Sequence, residues 1–468
     1  MRFTIRNRGV VHLAWDAETD VVVVGAGGCG LVAALAAAEH GAQVVILEKT
    51  ERVLGNTAAS AGMIPAAGTR FQKALGIEDS PEQMAADILR KNDHQSDPEL
   101  TLALCQESAR LVEWMVDSLG IELSVVQEFK YPGHSTYRMH APISRSGLDL
   151  IKMLRQAVNK RDNIILMLQS PVTDLVAEDG AVVGVVTQTP MGEQRIRAQK
   201  VILACNGFGG NRELVAKYIP EMADAMYFGY EGNTGEAILW GEKLGAQLEN
   251  MHGFQGHSSV SAGQGILVTW GVVMMGGFMV NVNGERFGDE TQGYSEFSLE
   301  VMKQPQQTGF LIFDQSIHDQ LLSIEDFRQL ASMNAFKFAS TPEELAKALG
   351  IPAGGLAATF EEVRQAAASG GDRFGRTDFA KVLEPPYCGI RVVPALFHTQ
   401  GGLKINRHAQ VLRKDGTPIP NLYAGGGSAV GVSGNHPKGY MSGNGLLAAL
   451  GFGKIAGEHA AKSLALQN

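Results

Sequence analysis

Gly25-Ala26-Gly27-Gly28-Cys29-Gly30 fits G-x-G-x-x-G, and Glu48 stands eighteen residues beyond its last glycine. Glycines at these spacings let a backbone approach a pyrophosphate, and an acid at that distance can accept hydrogen bonds from ribose hydroxyls. Such a match counts only in context. Here it follows the β-branched run of residues 20–24, opens an Ala- and Leu-rich helix over about 29–40, and reaches Glu48-Lys49 at the end of a second apolar run. That order predicts a strand–turn–helix–strand unit with the pyrophosphate at the helix N-terminus. Two further stretches favour a flavin dinucleotide over a nicotinamide one. Residues 55–62 read GNTAASAG, a small-residue loop suited to close backbone approach, with Asn56, Thr57, Ser60, Ala61 and Gly62 as contacts. Near the C-terminus NLYAGGG supplies Gly426 and Gly427, and a final helix begins near Asn444 and carries Leu446 and Leu447. A helix N-terminus there would face the flavin C2 carbonyl and N1.

Other elements must hold these segments in place. Ser80-Pro81 and Asp97-Pro98 each pair an N-cap with proline at the first helical position. Residues 163–204 are strand-rich, with a hairpin signal at Asp179-Gly180 and a closing strand KVILA, and a helix follows over 236–244. From about 251 glycine, methionine and aromatic residues dominate; an Asn283-Gly284 hairpin and amphipathic helices over 314–370 come next, then short strands after 398. The expectation is an α/β protein: a dinucleotide-binding domain made of residues 1–250 and 399–468, interrupted by an α+β capping domain over 251–398.

Composition narrows the function classes. In 468 residues, 45% are hydrophobic and 19% charged, which excludes disorder, and the 56 glycines cluster in short runs, which excludes collagen. Acidic residues outnumber basic ones by 49 to 40, the opposite of what nucleic-acid binding needs. Cys29, Cys105, Cys205 and Cys388 are too far apart for a zinc finger or a disulfide framework, so no metal is expected. The start MRFTIRNRGVVHLAW lacks the apolar core of a secretory signal, which points to the cytoplasm. The uncharged stretches 21–38 and 258–284 are broken by glycines and read as buried strands and loops, not membrane spans.

In order, DVVVVGAGGCG, LEK, GNTAASAGM, VILACNGFGGN, NGERFGDE and AGGG…SGNG resemble the landmarks of the fumarate reductase/succinate dehydrogenase flavoprotein superfamily, over nearly the whole chain. That superfamily includes the 3-ketosteroid dehydrogenases. The resemblance implies FAD in a Rossmann-like domain of glutathione-reductase type with an inserted cap. It adds Val172, Cys205, Asn206, Gly207 and His398 to the cofactor contacts. Covalent members use a histidine in the loop that here reads GNTAASAG; there is none, so FAD is expected to be non-covalent.

Fumarate-reducing members grip a dicarboxylate with two histidines, a Thr-Glu pair and two arginines. By motif position His257 and Thr269 remain, but the glutamate is Trp270, the proton-donating arginine is Tyr294, the second histidine is Phe397 and the clamping arginine is Tyr440. Tyrosine cannot replace a bidentate guanidinium against a carboxylate. The pattern is similar instead to 3-ketosteroid 1-dehydrogenases: Arg286-Phe287-Gly288-Asp289-Glu290-Thr291-Gln292-Gly293-Tyr294 follows their R-F-x-N-E-[ST]-x-P-Y, departing at Asp289 and Gly293. The resemblance implies that Tyr294 removes a proton alpha to a ketone while Tyr440 and Asn444 hold the ketone oxygen. Chemically this is coherent, because removing hydrogen from CH–CH beside a carbonyl needs a carbonyl donor, a base and a hydride acceptor. Tyrosine at pKa ~10 is a poor base at neutral pH without help, and Tyr131 and Tyr137 both qualify as its partner. His257 is either part of this chemistry or a capped turn histidine. For a substrate carboxylate, Lys438, Arg138 and His436 are the available cations, although Arg138 can equally anchor the cap. The expected activity is introduction of a C=C bond next to the carbonyl of a cyclic ketone, with an external electron acceptor. The alternative is an enoate or enone reductase running the other way.

Overall fold

The computed structural model describes residues 15–127 and 130–465; the secretory-signal reading falls largely on residues 1–14, outside them. The protein has a mixed α/β fold. An eight-stranded sheet runs in the order Gln410–Leu412, Pro418–Ala424, Gly192–Leu203, Ala17–Val24, Val44–Leu47, Ile164–Met167, with Ala181–Thr189 and then Val172–Glu178 added beside Gly192–Leu203. Val23 pairs in parallel with Ile46 on one side and Ile202 on the other, and Ile202 pairs in turn with Tyr423. A central parallel strand is covered on both faces, and residues 21–24 are accordingly all buried. The strands therefore come from both ends of the chain. So do the helices that cover them: a Cβ on Gly457 of the C-terminal helix Asn444–Ala465 would lie 2.2 Å from the Ala33 carbonyl oxygen of the helix Gly28–Glu39. Only glycine permits that approach.

The local signals fold as their chemistry dictates. Ser80 and Asp97 cap helices that start at Pro81 and Pro98. Asp179 and Gly180 both take positive φ, 50° and 79°, and join Val172–Glu178 to Ala181–Thr189. The Asn283-Gly284 hairpin is a correction. The turn forms, but among the described residues no strand returns from it, and Phe278–Val280 pairs with Gly309–Asp314 instead. The Asn281 carboxamide oxygen accepts from the Asn283 and Glu285 amides at 2.9 and 3.2 Å. The chain then runs into a buried ion network.

A second sheet is organised around Tyr387–Thr399, which pairs with Met226–Tyr227, Phe254–Ser261, Gly309–Asp314 and Lys337–Ala339. Its core includes Phe278, Phe313 and Phe327. Much of the uncharged stretch 258–284 is buried here, and among the described residues no helix is long and apolar enough to cross a membrane. Below the segment leading to Tyr294, Glu290 is fully buried and takes Arg286 bidentately, Nε at 3.0 Å and Nη2 at 2.6 Å, with Arg376 Nη1 at 3.1 Å. Arg286 also reaches Asp372 at 2.5 Å. Each buried charge is paired, the condition under which such groups persist in an interior.

Candidate active site

A cavity of about 1550 Å³ runs from the glycine-rich turn to the second sheet. At the turn the three motif glycines do different things. A Cβ on Gly30 would sit 1.8 Å from the Gly25 carbonyl oxygen, and Gly25 itself has φ +102°. Gly27 has no atom within 4 Å of where its Cβ would be, so the backbone there faces open space. The helix it caps has no side-chain cap and no acid in its first turn, which leaves N–H groups for an anion. Glu48 is 9% exposed. Its Oε2 accepts from the Ala26 amide at 2.9 Å and its Oε1 from the Thr50 amide and hydroxyl at 3.0 and 2.8 Å. The same carboxylate thus braces the turn and borders the cavity.

Lys49 is paired with Glu236 at 2.8 Å. Asn56 ties three segments together: its Oδ1 accepts from the Tyr230 amide at 2.8 Å and Asn233 Nδ2 at 2.9 Å, and its Nδ2 donates to the Phe397 carbonyl at 3.3 Å. Gly28, Cys29, Thr57, Ser60, Ala61, Val172, Cys205, Asn206, Gly426, Gly427 and Leu446 line the same cavity. Gly62, Gly207 and Leu447 stand behind the lining, and Leu447 is in the core. Asn444 is fully buried with neither side-chain amide atom partnered among the described residues, and its backbone N–H is bonded to the Met441 carbonyl at 3.0 Å, so it is not free to hold a ketone oxygen as the resemblance implied. Open backbone, an uncapped helix start and an orphaned amide between lining residues Gly443 and Gly445 all fit a dinucleotide with a polar ring system.

At the other end the walls are side chains. Tyr294 opens the helix Tyr294–Met302 behind Gly293, whose φ of +135° suits only glycine. Its hydroxyl shares a 2.9 Å hydrogen bond with Ser442 Oγ. Burial pushes Tyr294 up to about 12, with the Ser442 bond opposing and the Glu296 charge adding. Tyr440 is 7% exposed. Burial, and Tyr294 beside it, raise its pKa well above 10.0, while the backbone N–H groups of Gly445 and Gly443 at the start of the C-terminal helix pull the other way.

Four rings stack in sequence. Phe228 lies 4.8 Å from Phe397, Phe397 lies 5.2 Å from His257, and His257 lies 4.5 Å from Tyr294, at interplanar angles of 20°, 25° and 18°. Trp270 meets His257 edge-on at 6.0 Å, and Tyr440 meets Tyr294 likewise at 6.3 Å. Burial lowers His257 to about 3 and His398 to about 4, so both rings are neutral at ordinary pH. Thr269 lines the cavity and caps the Gly271 amide at 3.2 Å. Tyr131 lines it too, with its hydroxyl 3.2 Å from Met63 Sδ, whereas Tyr137 lies outside and is 38% exposed.

The three cations considered for a carboxylate lie elsewhere. Lys438 is outside the cavity, paired with Asp93 at 2.9 Å. Arg138 is buried against Asp79 at 2.7 Å and Asp87 at 2.5 Å, an anchor within the fold. His436 does not line the cavity and takes the Lys438 amide on Nδ1.

The FAD binding domain family matches residues 20–446. The chain belongs to that family. A probable fumarate reductase of Shewanella frigidimarina is 35% identical over 452 residues, covering 95% of this chain and 75% of that protein. The open conformation of a flavocytochrome c3 fumarate reductase has a TM-score of 0.82 at 34% identity, covering 96% of this chain and 79% of that one. The 3-ketosteroid-delta4-(5alpha)-dehydrogenase from Rhodococcus jostii RHA1 has a TM-score of 0.77 at 27% identity, covering 96% and 98%. The protein is an FAD-dependent oxidoreductase of the fumarate reductase/succinate dehydrogenase flavoprotein superfamily, acting on CH–CH or C=C bonds.

Several residues of this flavoprotein's cavity escaped the sequence reading. Ser442 stood inside the quoted SGNG landmark, two residues after Tyr440, yet only the fold shows that it meets Tyr294. Phe228, first in the ring stack, has no local signal. Gln400 donates to His398 Nδ1 at 2.8 Å and sets the ring's orientation, a pairing visible only once the strand end is in place.

Proposed function

We propose that the protein dehydrogenates the carbon–carbon bond next to the carbonyl of a flat, cyclic ketone, of oxocyclohexane size or larger. The observation that supports this best is the pairing of Tyr294 with Ser442 beside Tyr440, inside a box of rings and with no arginine or lysine over Tyr294 or His257 among the described residues. Such walls suit a planar uncharged group; the cations that line the cavity, Lys49, Lys130, Arg145 and Arg328, belong to other parts of its wall.

FAD, when bound, supplies a two-electron acceptor for the hydride. Gly25, Gly27, Gly28, Glu48 and the 55–62 loop, which border the cavity, would hold it. Tyr440 donates to the ketone oxygen, and its seat at the N-terminus of the Asn444–Ala465 helix favours charge developing there. Tyr294 takes the alpha proton, with Ser442 as its hydrogen-bond partner and relay. Tyr131 assists by flanking the same space. Phe397, Trp270 and Thr269 set the slot's width. An external acceptor would be needed to take up the two electrons.

Because burial holds Tyr294 protonated, dehydrogenation should accelerate as pH rises through the neutral range: the reactive phenolate is the minority form below its pKa. The same fact favours a second reading. A tyrosine that keeps its proton is a ready acid, and the matched fumarate reductase runs toward C–C saturation. Mixing the oxidised protein with saturated cyclic ketones, and the photoreduced protein with enones and with fumarate, decides between them. Ketone-driven bleaching supports the dehydrogenase; rapid reoxidation by enones without ketone bleaching supports the reductase; neither response sinks both. For FAD itself, acid precipitation should leave all yellow colour in solution; colour on the pellet would rule out non-covalent binding.

A further inference from the structure

His134 is 5% exposed and stands behind the cavity wall, outside its lining. Its Nε2 lies 3.0 Å from the Ser442 carbonyl oxygen. A carbonyl only accepts, so Nε2 carries the proton and donates it. Nδ1 is then an acceptor, buried and without a partner among the described residues. Burial lowers His134 to about 4, so the ring is neutral at ordinary pH. Its backbone is tied on both sides. The His134 amide donates to the Tyr131 carbonyl at 3.2 Å, and Ser135 donates to Asp87 from its amide at 2.9 Å and its hydroxyl at 2.6 Å. A half-satisfied imidazole is a poor core filler, since an apolar side chain would leave no orphaned acceptor. What the ring contributes here is the Nε2 bond.

That bond lands on a peptide with two possible orientations. The Asn444 amide donates to the Met441 carbonyl at 3.0 Å and closes a four-residue turn with Ser442 and Gly443 at its centre. Gly443 has φ +84°, while Ser442 is not among the residues with positive φ, which makes this a type II turn. Glycine at the third position is equally at home in a type I turn, which differs by turning the central Ser442–Gly443 peptide over. The closing bond is common to both forms; the Nε2–H on the Ser442 carbonyl tells them apart. Two groups of the site hang from that peptide. Ser442 Oγ meets the Tyr294 hydroxyl at 2.9 Å, and the Gly443 N–H acts on the Tyr440 hydroxyl, against the effect of burial. Turned over, the peptide would offer Tyr440 a carbonyl oxygen in place of an N–H, the wrong sign for charge developing on a ketone oxygen.

We infer that His134 is a positioning residue: it locks the Ser442–Gly443 peptide in the orientation that aims the Ser442 hydroxyl at Tyr294 and the Gly443 N–H at Tyr440. This rests on the dehydrogenase reading above, in which those two tyrosines carry the chemistry. His134 itself touches neither, and one imidazole thereby serves the proton-transfer end and the carbonyl end together.

The test compares the FAD-bound wild-type protein with three variants. His134→Leu and His134→Phe remove the donor in two different shapes, and His134→Gln restores an N–H at the same reach. Turnover of a cyclic ketone is measured together with equilibrium dialysis of a phenol, the mimic of a bound enolate. In the Leu and Phe variants kcat should fall roughly 10- to 100-fold with KM little changed, the pattern of a group held out of place. Phenol binding should weaken roughly tenfold. His134→Gln should recover most of both. Retained flavin shows that a variant is folded, and either donor-less variant suffices. Wild-type kcat and phenol affinity in Leu or Phe would overturn the inference. So would a loss in Gln as large as in Leu, a change in KM alone, or loss of flavin from both donor-less variants, which would make the ring a packing residue. In each of those cases the wild type still turns over ketone and the dehydrogenase reading stands. A wild type that leaves every cyclic ketone untouched removes that reading, and this inference with it.

Discussion

The two ends of the cavity are made of different material. At the Gly25–Gly30 end the wall is backbone: an open stretch at Gly27, a close crossing at Gly30 and one carboxylate, Glu48, bracing the turn. At the Tyr294 end the wall is side chain, with Phe228, His257, Trp270, Phe397 and Tyr440 arriving from separate segments. A backbone cradle recognises what all its ligands share, phosphates and a ribose. A side-chain box recognises what distinguishes one ligand from another. Errors at the two ends should therefore differ in kind: loss of cofactor at one, loss of chemistry with cofactor retained at the other.

Tyr294→Phe puts the greatest strain on that contrast. It keeps the ring and its stacking on His257, so FAD content and ligand-induced flavin shifts should persist while turnover falls by about 10²–10⁴; turnover close to wild type would remove Tyr294 from the chemistry. Tyr440→Phe should cost about 10²–10³ in turnover and also weaken binding of phenolic enolate mimics, since the lost group is a donor to developing charge. If only this second variant is impaired, the carbonyl site stands and the proton-transfer group must be sought at Tyr131 or His257. At the backbone end, Glu48→Ala should lower FAD affinity about ten- to a hundredfold, from ~1.5–3 kcal/mol of lost hydrogen bonding, with the rate per bound flavin little changed. Equilibrium dialysis of FAD reads this directly, and unchanged affinity would count against Glu48. The smallest effect belongs to Lys438→Ala. It removes only an exposed, solvent-screened pair with Asp93. Substrate affinity should not move, and a clear loss would mean that Lys438 reaches the site in a conformation other than this one.

The same contrast explains what could be read from the chain. The cofactor end was legible because backbone approach demands glycine at fixed spacings within one contiguous unit, and Gly25, Gly27 and Gly30 could be placed without knowing any distant contact. The caps at Ser80 and Asp97 and the Asp179-Gly180 turn were legible for the same reason. The substrate end was legible only as residue types at motif positions. That Tyr294 meets Ser442, 148 positions away, or that Phe228 begins a stack ending at Tyr294, depends on how two sheets are brought together. Lys438 was misleading because its nearness to Tyr440 in sequence said nothing about Asp93, 345 positions away. Asn283-Gly284 carried a sound turn signal, but a hairpin also needs a returning strand, and the Arg286–Glu290 network claims that segment instead.

The strand Tyr387–Thr399 ends with Phe397 and His398 side by side. Phe397 stacks into the ring series, while His398 meets Tyr440 and lies where any side chain on Gly445 would have to go. The pairing with Phe254–Ser261 slips here: Gln255 faces His398 and Gly256 faces Leu396, which leaves Phe397 as the extra residue of a bulge. A bulge re-aims side chains, and Phe397 and His398 both border the cavity. Point substitutions at either position should retune one contact of that wall. A single-residue deletion at the bulge would restore plain alternation, with neighbours on opposite sides, and take one of the two rings out of the wall. Divergence among related flavoproteins should thus show varied residues at these two sites but a fixed strand length leading up to them.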